Sequence, residues 1–142
     1  DEKFRRHLVD AAESYATGSA WAFQNRMGPL IRPPQGDLLR ALTQLEPGET
    51  WALKPRNVEG NPYLWTPGIK WDVQPGSTTH MTEFFGPVLG VMRAENLEQA
   101  VDRAPSGPLV LIRHEREEHQ HGQHEHDHAE NLVFLVFTES EQ

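Results

Sequence analysis

TEFFGPVLGVM, residues 82–92, followed at residues 96–102 by NLEQAVD, decides the fold. Its second half, Val88-Leu89-Gly90-Val91-Met92, is a short continuous apolar run of the kind that suits a strand buried on both faces. Asn96 with Gln99 three residues later resembles a capping box, so a helix should open there. Gly86-Pro87 places a turn immediately before the strand. A turn, a buried strand and a capped helix in succession are the unit from which α/β layers are built.

Upstream, residues 49–76 carry the short β-type runs TWAL, PYLW and IKWDV, separated by Pro55, Gly60, Pro62, Pro67, Gly68 and Pro75. These read as strands and exposed turns. Earlier still, Leu38, Leu39, Ala41, Leu42 and Leu45 recur at helical spacing behind Asp37, a candidate cap, and Pro47-Gly48 ends the run. Phe4, Leu8, Ala11, Ala12 and Tyr15 predict an amphipathic helix over about residues 2–16, stopped by Gly18. Between the two helices, the prolines of MGPLIRPP keep the chain extended. Trp21, Trp51, Trp65 and Trp71 are expected to pack within the layer, and Arg32 and Lys54 to lie on a solvated surface.

Downstream the composition changes. APSGP, the apolar run LVLI, the polar tract HEREEHQHGQHEHDHAEN and then NLVFLVF follow one another, and a boundary is placed near residue 103. NLVFLVF has high β propensity and no charge, so it must be buried in a sheet or paired with another chain, a core strand being the plainer expectation.

Totals narrow the function classes. Thirteen Lys+Arg against 21 Asp+Glu give a formal charge of −8, which leaves no basic surface for nucleic acid. No apolar stretch approaches the roughly 18 residues of a membrane-spanning helix, so a soluble cytoplasmic chain is expected, without membrane partners. Apolar residues are only 37% of 142 and there are 11 Pro and 11 Gly, so the core should be modest and the turns many. The cysteine count is zero, which removes disulfides, thiolate ligands and any thiol nucleophile. The chain opens at Asp1, inside what reads as a helix, as expected of an excised or trimmed segment, with initiator removal or the numbering as the alternative explanation.

TEFFGPVLGVM resembles the acidic-x-Phe-Gly-Pro-Val signature of the aldehyde dehydrogenase superfamily. MGPLIRPP and ALKPRNVEGNPYLWTPGIKWDVQPGSTTHMTEFFGPV look like the section that follows the family's nucleophile. The wording is most similar to the glutamate-γ-semialdehyde (1-pyrroline-5-carboxylate) dehydrogenase branch, and it covers residues 1–102. The resemblance implies an α/β segment of the catalytic domain, without the Rossmann cofactor domain. It also implies that Glu83 holds the nicotinamide-ribose hydroxyls of NAD and that Phe85 packs near the nicotinamide. A carboxylate offers two acceptors to a vicinal diol, and an aromatic wall shields a hydride-transfer site from water. Read without the family, Glu83 is a solvated turn residue and Phe84 and Phe85 are core.

The family's chemistry needs a cysteine thiolate, a general-base Glu and a glycine-rich dinucleotide loop. The chain has no Cys and no GxGxxG, so it is expected to be inactive alone. Its expected partner is the remainder of a dehydrogenase polypeptide or another copy of itself, and NAD-dependent aldehyde oxidation in proline catabolism belongs to that larger assembly. Beyond residue 102, RAPSGPLVLIRHEREEH does not continue the family's pattern.

The rival reading is a non-catalytic interaction or metal-binding module. His119, His121, His124, His126 and His128, with Glu125 and Asp127 among them, could gather around Zn, Ni or Cu. The commoner fate of such a tract is a solvated loop whose charge changes near neutral pH. His80 is read as a hydrogen-bonded structural residue.

Overall fold

The computed structural model describes residues 2–104, 109–113 and 132–136. The five histidines proposed as metal ligands lie outside the described residues. The elements are α1 (Glu2–Glu13), α2 (Gly36–Thr43), β1 (Thr50–Leu53), β2 (Gly68–Trp71), α3 (Thr78–Met81), β3 (Val88–Ala94), α4 (Leu97–Arg103), β4 (Leu109–Arg113) and β5 (Leu132–Val136). The strands form one sheet in the order β1-β2-β3-β5-β4. Among the described strands only the β2–β3 pair is parallel, with Gly68 opposite Val88 and Lys70 opposite Gly90. The connection between those two strands carries α3 and the Gly86-Pro87 turn.

Side chains of a strand alternate between its faces, and the core divides accordingly. On one face Ile69, Trp71 and Val91 meet Phe4, Leu8, Val9 and Ala12 of α1. On the other, Val88 joins Phe84, Ala41 and Leu42, with Leu38 and Trp65 at the margin. Farther along that face Met92 and Ala94 pack with Val73 and with Ala100 of α4. Burying side chains of this size contributes roughly 1.5–3 kcal/mol each.

Local chemistry explains where the elements stop. Asn96 Oδ1 accepts the Gln99 N–H at 2.8 Å, and Gln99 Oε1 in return accepts the Glu95 N–H at 2.9 Å, one residue ahead of the cap itself. The first helix is shorter than its apolar spacing predicts. Ser14 Oγ donates to the Ala11 carbonyl at 2.6 Å and the Tyr15 N–H reaches back only three residues to Ala12, so the ladder ends at Glu13. Asp37 is not the cap of α2: Gln35 holds that position in extended conformation without a side-chain bond. Asp37 sits in the first turn, where its charge favours the helix dipole and pairs with Arg40.

PYLW is not a strand. Asn57 and Trp65 form one isolated bridge, Asn57 Nδ2 donates to the Asn61 and Leu64 carbonyls, and the segment between folds as a turn. β2 stops at Trp71 because Asp72 takes φ +59°, a left-handed conformation incompatible with a continuing strand. Trp21 also departs from expectation, being 93% exposed while Trp71 is 1% exposed. Residues 18–25 are closed on themselves by bonds such as Asn25 Nδ2 to the Ser19 carbonyl, which keeps Trp21 off the sheet. NLVFLVF supplies β5, paired on both sides, with β3 and with β4. Among the described residues no helix is long and apolar enough to cross a membrane.

Candidate functional site

The site is built on the segment that leaves α3 and enters β3. Ser77 caps α3 by accepting the His80 N–H, and four contacts involving side chains then fix this short helix to its surroundings. Thr79 Oγ1 accepts from Lys70 Nζ at 3.1 Å, tying α3 to β2. The Thr78 N–H donates to Glu46 Oε2 at 2.8 Å, tying it to the turn after α2. The Gly76 N–H donates to His80 Nδ1 at 2.9 Å, which leaves Nε2 to donate to the Arg103 carbonyl at 2.6 Å. His80 thus has both ring nitrogens engaged, a structural residue as its sequence position suggested.

Thr82 is extended, and the side chains that follow it divide between core and surface. Phe84 turns inward and is 5% exposed, while Glu83 is exposed and Phe85 is 62% exposed. Two tight bonds then reverse the chain: the Gly86 N–H to the Phe84 carbonyl and the Val88 N–H to the Gly86 carbonyl, both 2.8 Å. The Pro87 carbonyl accepts the Gly68 N–H at 2.8 Å, which pins the turn to β2. Gly86 lets α2 approach the turn closely, since a Cβ there would lie 2.5 Å from Leu38 Cδ1 and the leucine side chain would have to shift.

Glu83 and Phe85 line a cleft of about 710 Å³ whose other wall is the segment Leu30–Leu38. That volume lies within the range of small-molecule and cofactor clefts. The two predicted cofactor residues are thus brought together, and the reading of Phe84 and Phe85 as equivalent core residues holds only for Phe84. The opposite wall was not read from sequence beyond being extended; its signal was the Pro33-Pro34 pair, which stiffens a wall.

Lys70 was also missed. It is 1% exposed and donates to Glu49 Oε2 at 2.9 Å. A lysine between Ile69 and Trp71 in an otherwise apolar strand is the signal that could have found it. Two of the tryptophans take the packing role expected of them: Trp71 packs against Phe4 with ring centroids 6.2 Å apart, and Trp51 lies under Lys70 Nζ. Among the described residues no group of three or more His, Asp or Glu could hold a metal ion.

The cleft fits the nicotinamide and ribose of NAD on chemical grounds: an exposed carboxylate can accept from two neighbouring hydroxyls, and an exposed ring can cover a flat heterocycle. Nothing in the chain matches the glycine-rich loop that would hold an adenine dinucleotide's pyrophosphate at a helix N-terminus.

An α/β sheet with a signature turn facing a cleft is the arrangement of a catalytic-domain segment, and comparison with known proteins says of which family. The aldehyde dehydrogenase family model matches residues 1–111. The chain belongs to the aldehyde dehydrogenase family. It is 34% identical over 111 residues to malonate-semialdehyde dehydrogenase 3 of Geobacillus kaustophilus, covering 73% of this chain and 22% of that protein. A probable methylmalonate-semialdehyde/malonate-semialdehyde dehydrogenase (acylating, mitochondrial) of Caenorhabditis elegans is 31% identical over 107 residues, covering 71% of this chain and 20% of that protein. Among solved structures, Proline Utilization A (PutA) from Corynebacterium freiburgense superposes with a TM-score of 0.70 at 45% identity, over 72% of this chain and 11% of that one. The chain thus spans about a fifth of the curated relatives it matches.

Proposed function

We propose that this chain supplies the nicotinamide-ribose side of an NAD-dependent aldehyde dehydrogenase site that converts a semialdehyde to its acid in the cytoplasm, with glutamate γ-semialdehyde from proline as the substrate. The observation that carries the reading is the outward pairing of Glu83 and Phe85 on one cleft while Phe84, between them, anchors the turn in the core. The substrate class draws support from the two semialdehyde dehydrogenases and from the 45% identity to a proline-utilisation protein.

NAD, when bound, accepts the hydride. Glu83 holds and orients the ribose, and Phe85 excludes water from one side of the ring. The thiol that attacks the aldehyde and the dinucleotide-binding domain come from the remainder of a dehydrogenase polypeptide, because the chain has no cysteine. Trp21, Phe23 and Ile31, each at least 93% exposed, offer apolar surface to such a partner.

Binding of nicotinamide riboside, followed by chemical-shift changes at Glu83 and Phe85, tests the cofactor role. Saturable shifts that disappear in Glu83→Gln are expected. Riboside shifts that are equal in the parent and in Glu83→Gln would remove Glu83 from the reading.

A further inference from the structure

The cleft that holds Glu83 and Phe85 contains a third function that neither residue explains. Its charged side chains are Glu83, Asp37 and Arg32. Asp37 is engaged by Arg40, with Nη1 to Oδ1 at 3.3 Å. Arg32 is exposed and makes no ion pair among the described residues. Arg32 lies in a bend that runs directly into the Pro33-Pro34 pair, whose fixed backbone angles and buried Pro34 restrict one side of the segment that carries the guanidinium.

One cleft therefore offers a carboxylate, an aromatic face and an uncommitted guanidinium. A nicotinamide mononucleotide contains a ribose diol, a flat heterocycle and a 5′-phosphate, one partner for each. A guanidinium meets phosphate oxygens with two parallel N–H bonds, a geometry that ammonium or amide groups do not provide.

We propose that Arg32 is the phosphate-binding residue of this cleft, so that the chain takes up the whole nicotinamide mononucleotide half of the dinucleotide and not the nucleoside alone. The proposal rests on the cofactor reading of Glu83 and Phe85 and adds to it a residue on the opposite wall. Because Arg32 is exposed, little desolvation opposes the contact, and the contribution should be strongly salt-dependent.

The test compares nicotinamide mononucleotide with nicotinamide riboside on the 142-residue chain and on Arg32→Gln, by titration calorimetry or chemical-shift perturbation. The parent is expected to bind the mononucleotide roughly tenfold or more tightly than the riboside, as a charge-assisted bond implies. That advantage should shrink near 1 M salt, where the screening length falls to about 3 Å. Arg32→Gln should reduce the mononucleotide to the riboside's affinity and leave the riboside unchanged.

Equal binding of the two ligands by the parent overturns the role of Arg32 while leaving the cofactor reading in place. Loss of both ligands in Arg32→Gln also overturns it, as does inorganic phosphate binding as tightly as the mononucleotide, which would make this a plain anion site. Binding of neither ligand by the parent removes the cofactor reading and this one together.

Discussion

Lys70 Nζ and Glu49 Oε2 lie 2.9 Å apart with side-chain exposures of 2% and 0%, an ion pair taken almost wholly out of water. The same Glu49 oxygen accepts the Glu46 N–H at 2.9 Å, while Oε1 is buried without a partner. Two charges are costly to bury, and the arrangement is tolerable only while both are present. Lys70→Met leaves the carboxylate uncompensated and should lower stability by about 3–5 kcal/mol. Adding Glu49→Gln to that variant should recover much of the loss, because a glutamine carbonyl still accepts the Glu46 N–H and brings no charge. Urea denaturation of the parent, the single and the double variant measures this. A single variant as stable as the parent would show that the carboxylate does not depend on Lys70.

His80 closes two backbone groups at once, accepting from Gly76 and donating to the Arg103 carbonyl at the end of α4. It thereby joins the turn before α3 to the helix that follows β3. His80→Leu keeps the volume and abandons both groups, which should cost about 2 kcal/mol given the usual 1–3 kcal/mol for a buried unsatisfied partner. The sharper readout is amide exchange: the Gly76 N–H should lose protection in the variant. Unchanged protection at Gly76 would contradict the bond.

Local features were legible in the sequence and long-range ones were not. Asn96 and Gln99 announce α4 because a cap is a contact between residues three apart, complete within its own segment. Val88-Leu89-Gly90-Val91-Met92 announces β3 because both faces of the strand are covered. Glu83 and Phe85 were found through a motif, but that Phe84 rather than Phe85 would be buried depends on where α2 lies, information held some forty residues away in Leu38, Ala41 and Leu42. Lys70 reads locally as a misplaced charge, and only Glu49 and Thr79, distant in sequence, explain it. PYLW has strand propensity, but it opens on Pro62 and Pro67 follows two residues after its end, neither with an amide donor, so propensity was overridden.

Glu46 makes stability depend on pH on the acid side. Its carboxyl is held below the usual value of 4.5, first by a hydrogen bond from the Thr78 side chain, then by the Thr78 amide and by the charges of Lys70 and Arg40, against the opposing effect of burial. A carboxyl whose folded pKa is depressed binds protons more readily in the unfolded chain. Its contribution is therefore full above the unfolded value and is lost as pH falls through the folded one. Between pH 7 and pH 3 the parent should lose more stability than Glu46→Gln does, the variant being the less stable of the two at pH 7. Denaturation midpoints at the two pH values settle the sign. An equal loss in both proteins would mean that Glu46 is not among the groups that carry the acid sensitivity.

Phe84 and Phe85 are the same residue in adjacent positions, and the fold assigns them opposite work. Phe84, 5% exposed, packs with Ala41, Leu42 and Val88, so Phe84→Ala removes a ring from the core and should cost about 3–5 kcal/mol. Phe85, 62% exposed, gives up little packing, and Phe85→Ala should stay within about 0.5 kcal/mol of the parent, as surface changes usually do. Ligand binding should follow the reverse order wherever the chain is folded: Phe85→Ala loses the ring that covers the nicotinamide, whereas Phe84→Leu, which keeps the anchor apolar, retains riboside affinity. Thermal denaturation and riboside titration on the three variants separate the anchor from the contact. A stable Phe85→Ala variant with undiminished riboside binding would leave the turn as scaffold alone and return the aromatic wall of the cleft to other residues.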